Sequence, residues 1–353
     1  MLEVAAAHRK DSVLAGTWKS SANQIAIAKA AGVSVSTVSR ALAGGGGISE
    51  KRRRQIRELA EDVGYLKRGG KVPVAARSLR AYVTASLAMG GLAPFYEAVI
   101  AGLRASSGEA GFSLSVLMVN ESALAPERIV RDQKTEEAGI VMFVGIDPSD
   151  PVIAHLVAEK EKVILVNGYD PQMRFDCVAP NNFYGAFAAG KTLLEAGHRN
   201  LLYIHDHTRW TTIQRRRGFY AAVDEFPEAT LTSIGIASGT DRELIAEIER
   251  RVGGVSGWTG AFAANDMAAF RLVTALDAAG LSVPQDVSVV GFDDLPYAVH
   301  MHPRLSTMRV DCAEVALQAI ALAQRRIACP DCPPAQIECA VTFEARGTVA
   351  QIA

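Results

Sequence analysis

The sequence lacks the features of a membrane or secreted protein. No apolar run reaches the roughly 18 residues that a transmembrane helix needs. Residues 1–17 contain no apolar segment followed by a small-residue cleavage site, so we expect no secretory signal peptide. The five cysteines fit a reducing compartment better than a disulfide framework. These absences predict a cytoplasmic protein without a membrane partner.

Metal-binding patterns are also scarce. Cys329, Cys332 and Cys339 lie close together, but no histidine or fourth cysteine nearby completes a four-ligand zinc site. We therefore interpret residues 329–334 as a proline-rich connecting loop rather than as a zinc or redox site. His205 and His207 flank Asp206, yet a histidine pair at this spacing after a strand more often lines a pocket or faces solvent. We predict no metal and no cofactor.

One nucleotide-binding pattern is present only formally. Gly185 to Thr192 satisfies G-x-x-x-x-G-K-T, but a phosphate-binding loop must follow a buried strand and keep its amides free. The intervening Ala-Phe-Ala-Ala favours a continuous helix instead. No nucleophile, base and orienting residue stand together in the sequence, so we predict no catalytic residues and no enzyme. ATP turnover that depends on Lys191 would support the opposite view.

The charge of the chain is unevenly distributed. The net charge is -1, but residues 1–80 hold 15 Lys and Arg against 6 Asp and Glu, whereas the remainder holds 22 against 32. A basic first part and an acidic body indicate a nucleic-acid-binding unit attached to a part that avoids phosphates. A chain of 353 residues also exceeds one compact core, so two or three folding units are expected.

The basic part has the pattern of three short helices. Residues 23–31 predict the first helix, Gly32 a tight turn, Ser34 to Leu42 the second helix, and Ser49 to Val63 the third. The predicted core positions are Val38, Ala41, Leu42, Ile56, Leu59, Ala60 and Val63. On the outer face of the second helix, hydroxyls can bind phosphates or base edges and an arginine can reach a guanine. The candidate DNA-binding residues of this helix are Ser34, Val35, Ser36, Thr37, Ser39 and Arg40.

From Ala81 onward, strand-like and helical stretches alternate. The predicted strands are 82–87, 114–119, 140–144, 163–166, 201–204, 261–263 and 287–290, and the predicted helices are 95–106, 184–196, 213–225, 267–279 and 313–325. Such alternation builds parallel sheets that bind ligands at the carboxyl ends of their strands. The roughly 270 residues of this part are too many for one such sheet. Two lobes that face a cleft are the natural arrangement.

The stretch from Ala28 to Leu42 resembles the headpiece of the lac-repressor (LacI/GalR) family, as do Ile48-Ser49-Glu50 and Gly64-Tyr65. The resemblance implies that Val35, Ser36 and Arg40 face bases in the major groove. Two positions depart from the family pattern: Ala26 replaces a commonly acidic residue, and Ala43 replaces a common asparagine.

Ala76-Arg77-Ser78-Leu79 is similar to the hinge helix of the same family. The resemblance implies that Ala76, Arg77 and Leu79 contact DNA, with the leucine inserted as a wedge into the minor groove. The linker here is longer than in the family, and it contains Gly69, Gly70 and Pro73. The sequence leaves open the alternative that Leu79 opens the first core strand.

The body of the chain resembles the sensor domain of the family. The matching elements are Pro94-Phe95-Tyr96, Gly197-His198-Arg199, residues 264–268, residues 283–294 and Leu305-Ser306-Thr307. The implied fold is an all-α helix-turn-helix headpiece plus an α/β two-lobed sensor like the type I periplasmic binding proteins, with crossovers near 179–181 and 305–312. The predicted domains are a disordered arm (1–22), a headpiece (23–66), a linker with hinge helix (67–80) and an effector-binding domain (81–353). Within that domain, lobe 1 comprises about 81–179 and 308–330, and lobe 2 comprises about 180–307 and the C-terminal strand.

The predicted effector pocket lies at strand ends. Asn167, Asn265 and Asp293 follow strands, and Arg215 corresponds to a family arginine that binds sugar hydroxyls. An arginine with Asp and Asn acceptors suits a polyol, because each hydroxyl both donates and accepts. The candidates for stacking on an apolar sugar face are Phe95, Tyr96 and Trp210. The sequence leaves open whether Asn265 or Asp293 only caps a helix, whether Tyr96 is core, and which of Arg215, Arg216 and Arg217 points inward.

Together these features predict a transcriptional regulator. We expect a homodimeric repressor of carbohydrate-utilisation genes that binds a pseudo-palindromic double-stranded operator under the control of a sugar-like effector. The alternative is a regulator that responds to a purine, a sugar acid or a phosphosugar, and an extra inward cation would favour the acidic ligands. A sugar-binding module without DNA activity is disfavoured by the basic headpiece.

Overall fold

The structure is a computed structural model that describes residues 27–42, 48–62, 78–84, 92–120, 124–125, 129, 139–205, 209–235 and 257–352. The chain divides into two compact units, Met1–Val74 and Ala75–Ala353. We call them the headpiece unit and the sensor unit. Their boundary falls inside the predicted linker.

The headpiece unit is helical. Helical residues 27–31 are followed by α1 (Val35–Leu42) and α2 (Glu50–Asp62). Gly32 has a φ of +65°, which confirms the predicted tight turn. The Ser34 hydroxyl accepts a hydrogen bond from the Thr37 amide at 3.2 Å and so caps α1. The small core contains the predicted Val38, Ala41, Ile56 and Ala60 together with Ile27, Ala28 and Ala31.

The first sheet of the sensor unit is wholly parallel, in the order β11-β5-β4-β3-β1-β2. Its strands are β1 (Ser78–Thr84), β2 (Ser113–Val119), β3 (Ile140–Val144), β4 (Val163–Val166), β5 (Asp176–Pro180) and β11 (Gln336–Cys339). Helices α3 (Ala93–Glu109), α4 (Asp150–Ala158) and α8 (Cys312–Ala328) flank it. The central strands are apolar throughout because helices cover both faces.

The second sheet has the order β12-β10-β9-β8-β6-β7, and only the β10–β12 pair is antiparallel. Its strands are β6 (Asn200–His205), β7 (Thr230–Gly235), β8 (Gly260–Ala263), β9 (Ser288–Asp293), β10 (Ser306–Val310) and β12 (Val341–Glu344). Helices α5 (Asn182–Glu195), α6 (Trp210–Asp224) and α7 (Asp266–Ala278) flank it, and a short 3₁₀ helix spans Pro296–Val299.

The chain passes between the two sheets three times. It crosses after β5, after β10 and, through a single residue, between β11 and β12. Residues 308–310, which the sequence analysis assigned to the first lobe, form the end of β10 in the second sheet. Strand β11 belongs to the first sheet, so that lobe extends to Cys339 rather than to about residue 330.

The prediction of a minor-groove wedge at Leu79 is wrong. Leu79 is fully buried in β1, where it pairs with Leu114 of β2 and Ile140 of β3. A side chain packed in the first lobe is not available to enter a DNA groove. The sheet also includes Ser78 and Arg80, so the sensor begins three residues before the predicted start at 81. Ala76 and Arg77 lie outside the described residues.

Candidate ligand pocket and DNA-reading helix

A cavity lies at the carboxyl ends of strands from both sheets, where parallel α/β sheets bind their ligands. Asn167 follows β4, Asn265 follows β8 and Asp293 ends β9. The lining residues are Leu92, Phe95, Tyr96, Asn167, Arg209, Thr211, Thr212, Arg215, Asn265 and Asp293. Six of the seven residues predicted for effector binding therefore converge on one cavity.

Arg215 is the inward arginine of its triplet, because its neighbours Arg216 and Arg217 are exposed. Its Nε donates to Asn182 Oδ1 at 2.8 Å, and its Nη2 donates to Asp293 Oδ1 at 3.0 Å. Its Nη1 donates to the carbonyl of Ala264, and the guanidinium lies 3.6 Å from the centre of the Phe292 ring. A buried ion pair with this many partners holds the planar fork in one orientation.

The backbone at two lining residues is in the left-handed region. Asp293 has a φ of 113° and Asn167 has a φ of 52°. Non-glycine residues adopt such angles at a cost that the surrounding structure must offset, and they concentrate at functional sites. Asn265 has two roles, since its side chain also accepts from the Ala268 amide at 2.8 Å and caps α7. The capping alternative considered for Asn265 is thus compatible with its position in the cavity wall.

Asp266 is a fully buried carboxyl that directly follows the lining residue Asn265. Its carboxylate accepts from the Leu295 amide at 2.7 Å and from the Thr307 hydroxyl at 2.5 Å. Burial, reinforced by the charge of Asp293, raises the pKa of the Asp266 carboxyl well above its usual range. The Asp266 carboxyl therefore lies close enough to Asp293, the residue that pairs with Arg215, for the two carboxyls to interact.

Tyr96 is buried, but its hydroxyl forms hydrogen bonds within the cavity wall. The hydroxyl accepts from Arg209 Nη1 at 2.9 Å and from Asn167 Nδ2 at 3.3 Å. Burial raises the pKa of the Tyr96 hydroxyl above its usual value. Gly145 makes room for the ring, because a Cβ at that position would lie 2.2 Å from Tyr96 Cε1. Tyr96 is therefore both a core residue and a lining residue.

Arg209 and Asp147 are functional candidates that the sequence analysis missed. Arg209 directly precedes α6, and its Nη2 donates to Asp147 Oδ1 at 3.2 Å and to the Asn167 carbonyl at 3.1 Å. Asp147 Oδ2 in turn accepts from the Trp210 amide at 2.9 Å. This ion pair joins the helix of the second lobe to loops of the first lobe beside the cavity. Placing the start of this helix at Trp210, rather than at Ile213, would have put Arg209 at the cleft.

Trp210 does not stack in the cavity as predicted. Its ring packs against Tyr169 with 5.6 Å between ring centres, and it is not among the lining residues. Its contribution is the backbone amide that binds Asp147.

The nucleotide-binding alternative is contradicted by the geometry of α5. Residues 185–192 are continuous helix, so their amides are engaged rather than free. Gly185 packs against Phe292 and Val341, and Lys191 Nζ pairs with Glu225 Oε2 at 3.1 Å. The glycines serve close packing, and the lysine lies on the helix surface.

The start of α1 carries a cluster of hydroxyls. Ser34 Oγ lies 2.8 Å from both Ser36 Oγ and Thr37 Oγ1. Ser34, Val35 and Ser36 are exposed, and Val35 retains 38% of its surface. Ser39 and Arg40 follow on the same helix. The opposite face, with Val38 and Ala41, is fully used in packing, so the exposed face is available for a groove.

Comparisons with known proteins agree with this architecture. Residues 26–67 match the model for bacterial regulatory proteins of the lacI family, and residues 191–349 match a periplasmic binding protein-like domain. The HTH-type transcriptional regulator GalR of Salmonella typhimurium is 28% identical over 84% of this chain and 87% of its own length.

Two solved structures share the fold. The transcriptional regulator CelR–cellobiose complex has a TM-score of 0.67 at 21% identity, and it covers 91% of this chain and 98% of its own. The lac repressor dimer bound to operator and the anti-inducer ONPF also has a TM-score of 0.67, at 18% identity, and covers 92% of this chain and 98% of its own.

A helix-turn-helix unit followed by a two-lobed sensor with a cleft pocket defines a DNA-binding transcriptional regulator. Residues 26–67 carry the DNA-binding domain of the lacI family, and the chain is similar over most of its length to LacI/GalR regulators. The predicted family, fold class and regulatory function are thereby confirmed. Among the described residues, no helix is both long and apolar enough to cross a membrane.

Proposed function

We propose that the protein is a homodimeric repressor of carbohydrate-utilisation genes, and that a neutral sugar-like effector in the cavity controls its affinity for a pseudo-palindromic operator. The observation that carries the ligand assignment is the buried Arg215–Asp293 pair in the cavity wall, next to Asn265 and Asn167. This set offers both donors and acceptors to vicinal hydroxyls.

Charge balance favours a neutral ligand over an acidic one. Among the described residues, two cationic side chains line the cavity, and each is paired with a carboxylate: Arg215 with Asp293 and Arg209 with Asp147. Arg209 is an extra inward cation, but its charge is already offset by Asp147. A sugar acid or a phosphosugar would add a negative charge without a spare positive partner among these groups. We therefore place those ligands second.

The apolar lining suits the face of a sugar ring. Leu92 and Phe95 supply carbon surface, whereas the Tyr96 hydroxyl is held by Arg209 and Asn167. A purine would call for an aromatic pair to stack against, and Trp210 packs against Tyr169 instead. This arrangement supports a polyol ahead of a purine.

The DNA-binding half of the proposal rests on α1 and on symmetry. A single helix of eight residues reads one half-site, so a two-fold dimer reads a pseudo-palindrome. The candidate contacts are Ser34, Val35, Ser36, Thr37, Ser39 and Arg40, with Ala76 and Arg77 as further candidates before β1. The operator-bound lac repressor dimer, which shares this fold, supports the dimeric arrangement.

The sensor can act on DNA binding through β1. This strand begins at Ser78, close behind the last residue of the headpiece unit, Val74, and it lies in the first sheet. A ligand that binds one relative arrangement of the lobes better than another shifts the population of lobe arrangements. The first lobe would pass that shift along the linker to the headpiece unit.

A thermal-shift screen with neutral sugars, sugar acids, phosphosugars and purines tests the ligand class. Ligand binding raises the melting temperature by mass action, and we expect the positive hits among the neutral sugars. Arg215→Lys should lose the shift, because an ammonium group cannot replace the planar fork. Arg216→Lys, on the neighbouring exposed arginine, is the matched control and should keep the shift. Hits confined to acidic ligands or purines would contradict the neutral-sugar assignment.

A further inference from the structure

A disulfide closes the turn between α8 and β11. It joins Cys329 and Cys332, whose Cα atoms lie 5.4 Å apart, a normal separation for such a bond. The sequence pattern alone predicted only a proline-rich loop in this segment. Both cysteines are partly exposed, and the turn lies at the end of a helix, where a soluble thiol can reach it.

Two arginines attach this turn to the first sheet. Arg326 Nη1 donates to the carbonyls of Pro330 and Cys332 at 3.2 and 2.6 Å, and Arg325 Nη2 donates to the carbonyl of Pro333 at 2.7 Å. The same arginines pair with the buried Asp176 at the start of β5, at 2.6 Å for Arg326 and 3.3 Å for Arg325. The disulfide turn is therefore bonded, through Arg325 and Arg326, to the first residue of β5.

The turn is also bonded to the strand β11, which directly precedes the last crossover between the lobes. The Ala335 amide donates to Asp176 Oδ1 at 2.8 Å, directly before β11 pairs with β5. At the other end of β11, the Cys339 carbonyl accepts from the Asn181 amide of the first crossover at 2.8 Å. Strand β11 thus lies between the disulfide turn and two of the three lobe connections.

The remaining cysteines are poor competitors for thiol chemistry. Burial raises the pKa of Cys177 and Cys312 to about 12 and that of Cys339 to about 11. The thiolate is the nucleophile in disulfide exchange, so these groups react slowly at neutral pH. Exchange is thereby directed to Cys329 and Cys332.

We propose that Cys329 and Cys332 form a reversible dithiol–disulfide site that exchanges with a soluble thiol–disulfide couple, and that closing the disulfide secures β11 and the last lobe connection. This site is separate from the effector pocket and extends the proposed function. In the oxidation, one cysteine thiolate attacks a low-molecular-weight disulfide and expels one thiolate from it. The second cysteine thiolate then attacks the protein sulfur of the mixed disulfide and expels the other. Two electrons pass to the oxidant, and the two cysteine protons go to solvent.

The test uses the full chain, equilibrated in buffers of varied ratio of reduced to oxidised glutathione. After an acid quench and alkylation, mass spectrometry counts the modified cysteines at positions 329 and 332. We expect a single two-electron transition from two modified cysteines to none. In parallel, hydrogen exchange at the amides of residues 336–339 should be at least about threefold faster in the reduced state. Without the disulfide, the turn that precedes β11 is less constrained, so local opening of this strand is easier.

Two variants complete the design. Cys312→Ser keeps the pair and should keep both changes, whereas Cys332→Ser should exchange like the reduced protein in every buffer. Three results would overturn the proposal: a pair that never changes state across the buffers, a stable mixed disulfide with glutathione in place of the internal bond, or a transition that leaves exchange at β11 unchanged.

Discussion

The two units of the chain use their polar residues in opposite ways. In the headpiece unit, Ser34 and Ser36 are exposed on α1, above a core of a few small apolar side chains. In the sensor unit, Arg215 and Asp293 are buried among bonded partners, with 4% and 6% of their surface exposed. The first arrangement suits a large partner that brings its own groove, and the second suits a small ligand that the protein encloses. Substitutions of the DNA-facing residues of the headpiece should therefore change DNA binding without changing the free energy of unfolding. Substitutions of the pocket residues of the sensor should change both ligand binding and the free energy of unfolding.

The largest effect is expected at Arg215. Arg215→Ala leaves Asp293 as an unpaired buried charge, which should cost about 3–5 kcal/mol in the free energy of unfolding and abolish the ligand-induced thermal shift. Urea denaturation of the variant and the wild type measures the first effect. Arg217→Ala, on an exposed arginine of the same helix, should change neither quantity. If the Arg215→Ala protein had wild-type stability, the conclusion that the buried Arg215–Asp293 pair stabilises the sensor would be contradicted.

Leu79 tests whether residues just after the linker belong to the sensor core or contact DNA. As a buried residue of β1, Leu79→Ala should lower the free energy of unfolding of the sensor by about 2–5 kcal/mol. A minor-groove wedge would instead lose operator affinity at unchanged stability. Denaturation combined with operator titration separates the two, and an unchanged unfolding curve would restore the hinge prediction.

In the headpiece, substitution of a candidate DNA contact should affect DNA binding alone. Arg40→Ala should weaken operator binding by about 1–3 kcal/mol and relax specificity at one base pair, with no change in the melting temperature of the sensor. Binding-site selection from a random library measures the specificity. Arg217→Ala serves again as the control because it lies in the sensor. Unchanged base preference in Arg40→Ala would exclude a base contact by this residue.

The smallest effect concerns pH and Asp266. Because the folded-state pKa of this carboxyl is raised, its protonated form contributes stability below the ordinary pKa near 3.8, and that stability is lost as pH rises through the folded value. Asp266→Asn keeps an acceptor oxygen for the Leu295 amide and places a donating amide nitrogen against the Thr307 hydroxyl, which can accept, but it cannot ionise. The variant should therefore lose this downward slope of unfolding free energy with pH, as followed by denaturation at a series of pH values. Parallel pH profiles of the two proteins would show that Asp266 is not the titrating group.

The sequence predicted the elements that depend on local pattern. The turn at Gly32, the start of a helix at Ser34 and the apolar runs of β3 and β4 are set by neighbouring residues, and the strand ends place Asn167, Asn265 and Asp293 at one cavity. Family resemblance, rather than the pattern itself, pointed to Arg215 within its triplet. The structure supplied its bonds to Asn182, Ala264 and Asp293.

The errors lie where distant residues decide the outcome. Leu79 became a strand residue because Leu114 and Ile140 offer it partners on both sides. Arg209 and Asp147 are 62 positions apart, so no local pattern joins them. The Cys329–Cys332 bond had a local pattern, C-x-x-C, but the segment was interpreted as a proline-rich connecting loop rather than as a zinc or redox site.

The central claim is that the sensor pocket controls the headpiece. It is tested most directly by the dissociation constant for operator DNA, measured with and without a saturating neutral sugar found in the screen, at one fixed salt concentration. We predict a change of about 5–150-fold for the wild type, the usual range of allosteric coupling, and no change for Arg215→Lys. Equal dissociation constants for the wild type in the two conditions would contradict the account.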